Sequence, residues 1–353
     1  MTDKNIEAFL ALVKAGLWEK EALLLPFQEI DYKEIFRQAE VQSVVGLVAA
    51  GIEHVIDVKL PKDDVLTLVG SALQIEQRNL AMNHFIGDLV DKMREEVIYT
   101  LLVKGQGIAQ CYERPLWRAS GDVDFLLSNT NYQKAKEFLL PLSTGQKKEE
   151  RYSKHLGISI DPWYVEIHGS LRTGLSTRLD KEIDRTFDAV FLKGEVRSWM
   201  NEKTQVFLPS PDNDVFFVFT HFIKHFYTEG MTLRQICDWC RLLWTYRDTI
   251  NEGLLEERLR RSGLMTEWHS FASLAVAYLG IPVEAMPIYE EKECWHKKAQ
   301  QIINLILCGY THNELLDTLA IARIFPGNTI RFLPSIFFNV NGLKIKERLL
   351  GSK

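Results

Sequence analysis

At 353 residues, with 46% hydrophobic and 25% charged side chains, the chain is long enough for two or three domains with a large buried core, and its composition excludes disordered and fibrous classes. A net charge of −5 argues against a broad electrostatic footprint for a long nucleic acid. The start, MTDKNIEAFLALVKAG, lacks a basic leader with an apolar core, and no later window offers a long uncharged apolar run, so no membrane partner is expected and a cytoplasmic location is.

Residues 1–96 read as a helical region. Ile6, Phe9, Leu10 and Val13 recur at helical spacing, and Gly16 is placed to close that helix. A second run from Asp31 to Gly51 carries Ile35, Phe36, Ala39 and Val44 on one stripe, and Leu60-Pro61 breaks the chain. The longest helix is expected from Lys62 to Glu96, with Val65, Leu68, Val69, Ala72, Ile75 and Leu80 facing inward. This region has no catalytic constellation and is expected to pack on a sheet or wall a site.

Between residues 97 and 209 the texture changes to short strands. VIYTLLVKG is a continuous apolar run suited to a sheet covered on both faces. Gly105 and Gly107 then permit close approach of a ligand to main-chain N–H groups, which can cradle phosphate oxygens where the next helix begins. Which of the two would touch phosphate stays open, and a GxG turn alone is weak. A helix and loop lead through Ser120 to GDVDFLL, where alternation puts Asp122 and Asp124 on one face and Val123 and Phe125 on the other. Two like charges so close repel unless a cation sits between them, and hard oxygen ligands suit Mg²⁺. After a helix in NYQKAKEFLLPL and a charged loop, KKEERY, come HLGISI, a turn at Asp161-Pro162, and WYVEIHGSL. There Val165 and Ile167 alternate with Glu166 and His168, so a third carboxylate becomes available if the two acidic strands are neighbours.

Residues 210–353 read as helical again. SPDNDVFFVFTHFIKHFY opens with an N-cap signal at Ser210 or Asp212. His221 and His225 stand one turn apart, without the acidic residue of a zinc-protease helix, and packing or hydrogen-bonding roles are the default. Arg234 and Asp238, also one turn apart, are expected to pair. Cys237 and Cys240 form a CxxC spacing inside a helical pattern, with no second pair to complete a zinc site. Like the other scattered cysteines, they are expected as free, mostly buried thiols. Trp268 and Trp295 are assigned to the core, and the tail RFLPSIFFNVNGLKIKERLL to docking on the body or on a partner chain. The fold class is therefore α/β (α+β), a small mixed-sheet core flanked by helical regions.

In this order, LLVKGQGIAQCYE, RASGDVDFLL, YVEIHGSL and THFIKHF followed by LRQICDW, covering about Leu101 to Asp238, resemble the uncharacterised bacterial nucleotidyltransferase family, a branch of the polymerase-beta-like superfamily. The resemblance implies that Asp122 and Asp124 are paired metal ligands and that Glu166 is the third carboxylate. It implies further that Gly105 or Gly107 holds the nucleotide's phosphates and that Lys104 and Arg118 neutralise the triphosphate. His168, His221 and His225 match recurrent histidines of the family, and His168 is grouped with the nucleotide-contacting set. Gln106 departs from the pattern, which usually has Gly or Ser after the first turn glycine. The implied activity is transfer of an NMP group from an NTP, ATP foremost, to a hydroxyl of a small molecule or protein, with Mg²⁺ or Mn²⁺. The rival is a nucleotide-sensing or protein-interaction module without turnover, against which all three filled acidic positions weigh. A metal-dependent phosphohydrolase ranks last, since no clustered His-Asp motif follows the acidic strand.

Overall fold

The computed structural model describes residues 3–27, 29–145, 147–150, 154–308, 310 and 314–334; most of the tail segment considered above, from 335 on, lies outside them. The chain opens with α1 (Asp3–Trp18), α2 (Tyr32–Val41), α3 (Val45–Glu53) and α4 (Lys62–Glu95). Gly16 does not end α1. A Cβ there would stand 1.9 Å from the Leu47 carbonyl oxygen, and one on Gly51 would stand 2.0 Å from that of Leu12, so the two glycines let α1 and α3 cross with their backbones in contact. The run expected as one helix from Asp31 to Gly51 divides at Ser43, whose φ of +56° is incompatible with a continuing helix. Leu80 is 51% exposed rather than inward. It follows Leu68 by twelve residues, which at about 100° each turns it about 120° from the buried stripe, and the inward position falls on Asn79 instead.

The sheet is built from β1 (Leu101–Val103), β2 (Asp122–Leu126), β3 (Lys147–Glu150), β4 (His155–Ile160) and β5 (Trp163–His168), in spatial order β1-β2-β5-β4-β3. Strands β2 and β5 run parallel; the other neighbours are antiparallel. The apolar run from Val97 yields only a three-residue strand. The helix expected through Ser120 is a five-residue α5 (Gly105–Ala109) and one 3₁₀ turn at Pro115–Trp117, because Pro115 lacks the N–H needed to extend a helix through it. The loop expected at KKEERY begins as β3, paired with β4. Helix α6 (Asn129–Leu139) links β2 to this hairpin.

One face of the sheet is dry. Val123, Phe125, Val165 and Ile167 are buried there with Tyr132, Ala135 and Leu139 of α6 and with Met82, Ile86 and Val90 of α4. After β5 come α7 (Thr177–Lys193), a helix inside a stretch expected to hold strands, and the hairpin β6 (Val196–Asn201) and β7 (Thr204–Pro209). The rest is helical: α8 (Pro211–Thr228), α9 (Leu233–Tyr246), α10 (Glu252–Ser262), α11 (Met265–Leu274), α12 (Glu293–Cys308) and α13 (Glu314–Ile324). Phe219 of α8, Trp239 of α9 and Trp268 of α11 interlock, the two indoles edge to face at 4.9 Å between centroids. Residues of α1–α3 share this apolar cluster with α8–α12, so the leading and trailing helices are packed together. Cys111, Cys237 and Cys240 are buried free thiols. Among the described residues no helix is long and apolar enough to cross a membrane.

Candidate functional site

The face of the sheet opposite α6 carries the acidic residues. In the parallel register Asp124 lies opposite Glu166, while Val123 lies opposite Val165, so period-two alternation sends both carboxylates to one side and both branched side chains into the core. Asp122, two residues before Asp124, shares that side. Oxygens of Asp122, Asp124 and Glu166 lie within 4.8 Å of one another. The three candidate ligands are thus brought together, with Asp124 buried to 2% exposure.

Cationic groups crowd the same spot. Val103 pairs with Asp124, so the next residue, Lys104, rises beside the acidic strand and donates from Nζ to Asp124 Oδ1 at 3.0 Å. His168 Nε2 lies 2.8 Å from that same oxygen and 3.5 Å from Glu166 Oε2. On β4, His155 stands opposite His168; the two rings stack at 4.7 Å between centroids, and His155 Nε2 is 3.1 Å from Glu166 Oε2. Gly157, opposite Glu166, leaves room for the Tyr164 hydroxyl, which a Cβ there would meet at 2.1 Å. His155 was not foreseen, although a turn at residues 161 and 162 makes paired positions of the hairpin sum to 323 and so sets 155 against 168.

These contacts divide the carboxylates. Burial opposes ionisation of Asp124, but Lys104 and the His168 bond outweigh it and lower its pKa. Burial likewise acts against Glu166, yet the bonds from His155 and His168 hold it far below the usual carboxylate range. Asp122 is pushed up, first by the neighbouring charge of Asp124 and then by burial. The set is therefore short of positive charge at Asp122, the position that an added cation would relieve most.

The turn from β1 into α5 is strained. Lys104 has φ 57° and ψ −148°, a region almost confined to glycine and costing a side-chain-bearing residue about 1–3 kcal/mol. Gly105 follows with φ +39° and lines the cavity. Gly107 does not line it; a Cβ there would stand 2.7 Å from Leu208 Cδ2 of β7, so its smallness serves packing. The unusual Gln106 is also explained: its Nε2 donates to Asn79 Oδ1 at 2.8 Å, and Asn79 Nδ2 donates to the carbonyls of Leu116 and Arg118, each at 2.8 Å. Gln106 thus ties α5 to α4 and, through Asn79, to the loop leading into β2.

A cavity of about 420 Å³ lies over the carboxylates, within the ordinary range for a small-molecule site. Its floor holds Asp122, Asp124, Glu166, Lys104 and His168; α8 and α9 supply the opposite wall with His221, Lys224, His225 and Arg234. His221 and His225 approach at 3.1 Å between Nε2 atoms, and His225 Nδ1 lies 3.2 Å from Glu229 Oε2. Burial, then Lys104, hold His221 well below the ordinary histidine value, so it is a neutral ring at physiological pH.

Arg118 also borders the cavity, but each of its three nitrogens already donates to a neighbour. Nε and Nη2 reach the two oxygens of Asp238 at 3.0 and 2.6 Å, and Nη1 donates to Ser120 Oγ at 2.7 Å. The pair expected between Arg234 and Asp238 is therefore not formed. One-turn spacing on α9 brings those two within reach, yet the planar fork of Arg118, arriving from the β2 loop, matches both carboxylate oxygens at once. Arg234 instead donates from Nη1 to the Ala119 carbonyl at 2.7 Å. Sequence spacing gave no hint of Arg234 as a cavity residue, because its apparent partner sat four positions away.

Over residues 28–280 the chain matches the family described as uncharacterised nucleotidyltransferase. The crystal structure of an antigenic nucleotidyltransferase-like protein from Paracoccidioides brasiliensis is similar over 50% of this chain and 85% of that one, at 12% identity and a TM-score of 0.33. No curated protein matches significantly.

Proposed function

Because the chain belongs to the uncharacterised nucleotidyltransferase family, we propose that its cavity holds a nucleoside triphosphate, ATP foremost, with Mg²⁺ or Mn²⁺, and that the protein moves the NMP group to a hydroxyl-bearing acceptor. The observation that carries this reading is the register of β2 on β5, which sets Asp124 against Glu166 and gathers three carboxylates at the floor of a cavity. An all-oxygen donor set fits a hard divalent ion, and Asp122, Asp124 and Glu166 would hold it. Such an ion, when bound, lowers the pKa of an attacking hydroxyl and neutralises charge on the phosphates.

The chain's own residues do the rest. Gly105 at the start of α5 and Lys104 beside it are placed to receive phosphate oxygens, with backbone N–H groups and an ammonium. His155 and His168 orient the carboxylates of Glu166 and Asp124 through their contacts with Glu166 Oε2 and Asp124 Oδ1. Arg118 acts at one remove, pinning the loop before β2 onto α9 through Asp238 and so fixing where Asp122 stands. In the reaction the acceptor hydroxyl gives up its proton to solvent as its oxygen bonds to the α-phosphorus, the bond to the bridging oxygen breaks, and pyrophosphate leaves. Residues 97–209 would supply the catalytic sheet and residues 210–353 the opposing wall. A chain of net charge −5 suits a cytoplasmic small molecule or protein as acceptor better than a long nucleic acid.

The test is label transfer from α-³²P-ATP with Mg²⁺ or Mn²⁺ to a cell extract and to the protein itself. Transfer by the wild type that disappears in Asp124→Ala is the expected result. ATP binding with no transfer to any acceptor would move the reading to a nucleotide sensor, and transfer undiminished in Asp124→Ala would remove the carboxylates from the chemistry.

A further inference from the structure

We propose that Arg234 forms an oxyanion subsite in the wall of the cavity, taking a phosphate-type group either from the nucleotide or from the acceptor. The inference rests on the reading above for the cavity's use, and on the local charge balance for the residue.

Two guanidinium groups, from Arg118 and Arg234, line the cavity together with the carboxylate of Asp238, which pairs with Arg118. Asp238 is fully committed. It accepts from Arg118 Nε and Nη2, and Oδ1 also accepts from the Tyr112 hydroxyl at 2.7 Å. Among the described residues no carboxylate lies within ion-pair distance of Arg234. Its Nη1 is held by the Ala119 carbonyl, which fixes the plane of the group, while Nε is buried and has no hydrogen-bond partner. The unused edge is therefore the one formed by Nε and Nη2, the same edge with which Arg118 grips Asp238, and the one that fits a carboxylate or phosphate with two parallel bonds.

A half-buried cation lacking a counter-charge destabilises a fold. Burial and the neighbouring Arg118 lower the pKa of Arg234, but a guanidinium remains charged. The capping box of Thr232 and Gln235 sets the first turn of α9 and so the direction in which Arg234 leaves it. Nothing in that packing needs a charge. An anion in the cavity would supply both the missing counter-charge and the two missing bonds.

The experiment compares wild type, Arg234→Met and Arg234→Lys by thermal denaturation and by calorimetric titration, in Mg²⁺, with tripolyphosphate, ATP, AMP and inorganic phosphate as probes. Without anion, Arg234→Met should melt no lower than wild type, since an unpaired charge is removed. Its affinity for tripolyphosphate should fall about ten-fold or more, and that of Arg234→Lys several-fold, because two charge-assisted bonds are lost or replaced by one. If ATP and tripolyphosphate weaken while AMP does not, the group bound is a donor β- or γ-phosphate. If ATP binding is unchanged and only inorganic phosphate weakens, the subsite belongs to the acceptor. Wild type that binds phosphate through Arg234 yet binds no ATP would keep the subsite and sink the nucleotidyltransferase reading. A lower melting point in Arg234→Met with every anion affinity intact, or no anion binding by the wild type, would overturn the subsite.

Discussion

Replacing Asp238 with Ala removes the counter-charge of a buried ion pair and tests whether Arg118 is a structural clamp. The two side chains are only 5% and 6% exposed, and the carboxylate accepts both Arg118 bonds together with the Tyr112 hydroxyl. Truncating one partner of such a pair costs about 3–5 kcal/mol, because the other charge is left buried. The stranded Tyr112 hydroxyl adds about 1–3 kcal/mol. Against a typical total of about 5–15 kcal/mol, Asp238→Ala should sit close to unfolding. Urea denaturation followed by tryptophan fluorescence reads this directly. The double variant Arg118→Met with Asp238→Leu should recover most of the loss, since an apolar pair of similar volume replaces the ion pair at little net cost. It should also retain ATP affinity if Arg118 makes no phosphate contact and the apolar pair still holds the loop before β2 on α9. An Asp238→Ala protein within about 1 kcal/mol of wild type would mean that the pair behaves as a solvated surface bridge. A double variant no better than the single one would show that the charges themselves are not what is being lost.

Four further outcomes follow from the same geometry. Gly105→Ala meets nothing nearer than the Asp122 carbonyl oxygen at 3.6 Å but must adopt φ +39°, so it should cost about 1 kcal/mol and weaken ATP binding. Gly107→Ala, by contrast, should cost about 1–3 kcal/mol against Leu208, be relieved by Leu208→Ala, and leave ATP affinity alone; the reverse pattern in titrations would assign the phosphate contact to Gly107. Gly46→Ala would drive a Cβ to 2.0 Å from the Trp117 carbonyl oxygen, where the loop before β2 rests on α3, and thermal melts should show one of the largest losses among single glycine changes. His221 has a folded pKa below its unfolded value of about 6.5, so below that pH the unfolded chain binds more protons and stability falls as pH drops, by up to about 1.4 kcal/mol per unit. His221→Gln should flatten that acid limb in denaturation curves taken from pH 7 to 5, and an unchanged slope would place the acid sensitivity elsewhere.

How far the site was legible in the chain depends on the range over which each signal acts. Alternation within DVDFL and YVEIH is local, and it correctly puts Asp122 with Asp124, and Glu166 with His168, on single faces opposite Val123 and Val165. The two-residue turn at 161 and 162 likewise carried the pairing of His155 with His168, had the register been followed to the strand's end. Gly16 and Gly51 show the limit of such reading. A glycine late in a helix is a stop signal in sequence, whereas here it is a crossing point whose meaning depends on a second helix more than thirty residues away.

By itself, then, the sequence determined the faces of the acidic strands, the strand-to-turn position of Lys104 and Gly105, and a mixed fold with helices on either side of a small sheet. Only the tertiary structure decided that β2 and β5 are parallel neighbours, that Asp238 belongs to Arg118 and leaves Arg234 open, and that Gly107 faces Leu208. The physical reason is that periodicity fixes where a side chain points from its own backbone. Which charge it meets is set by chain reversals and packing, over distances to which no local pattern extends.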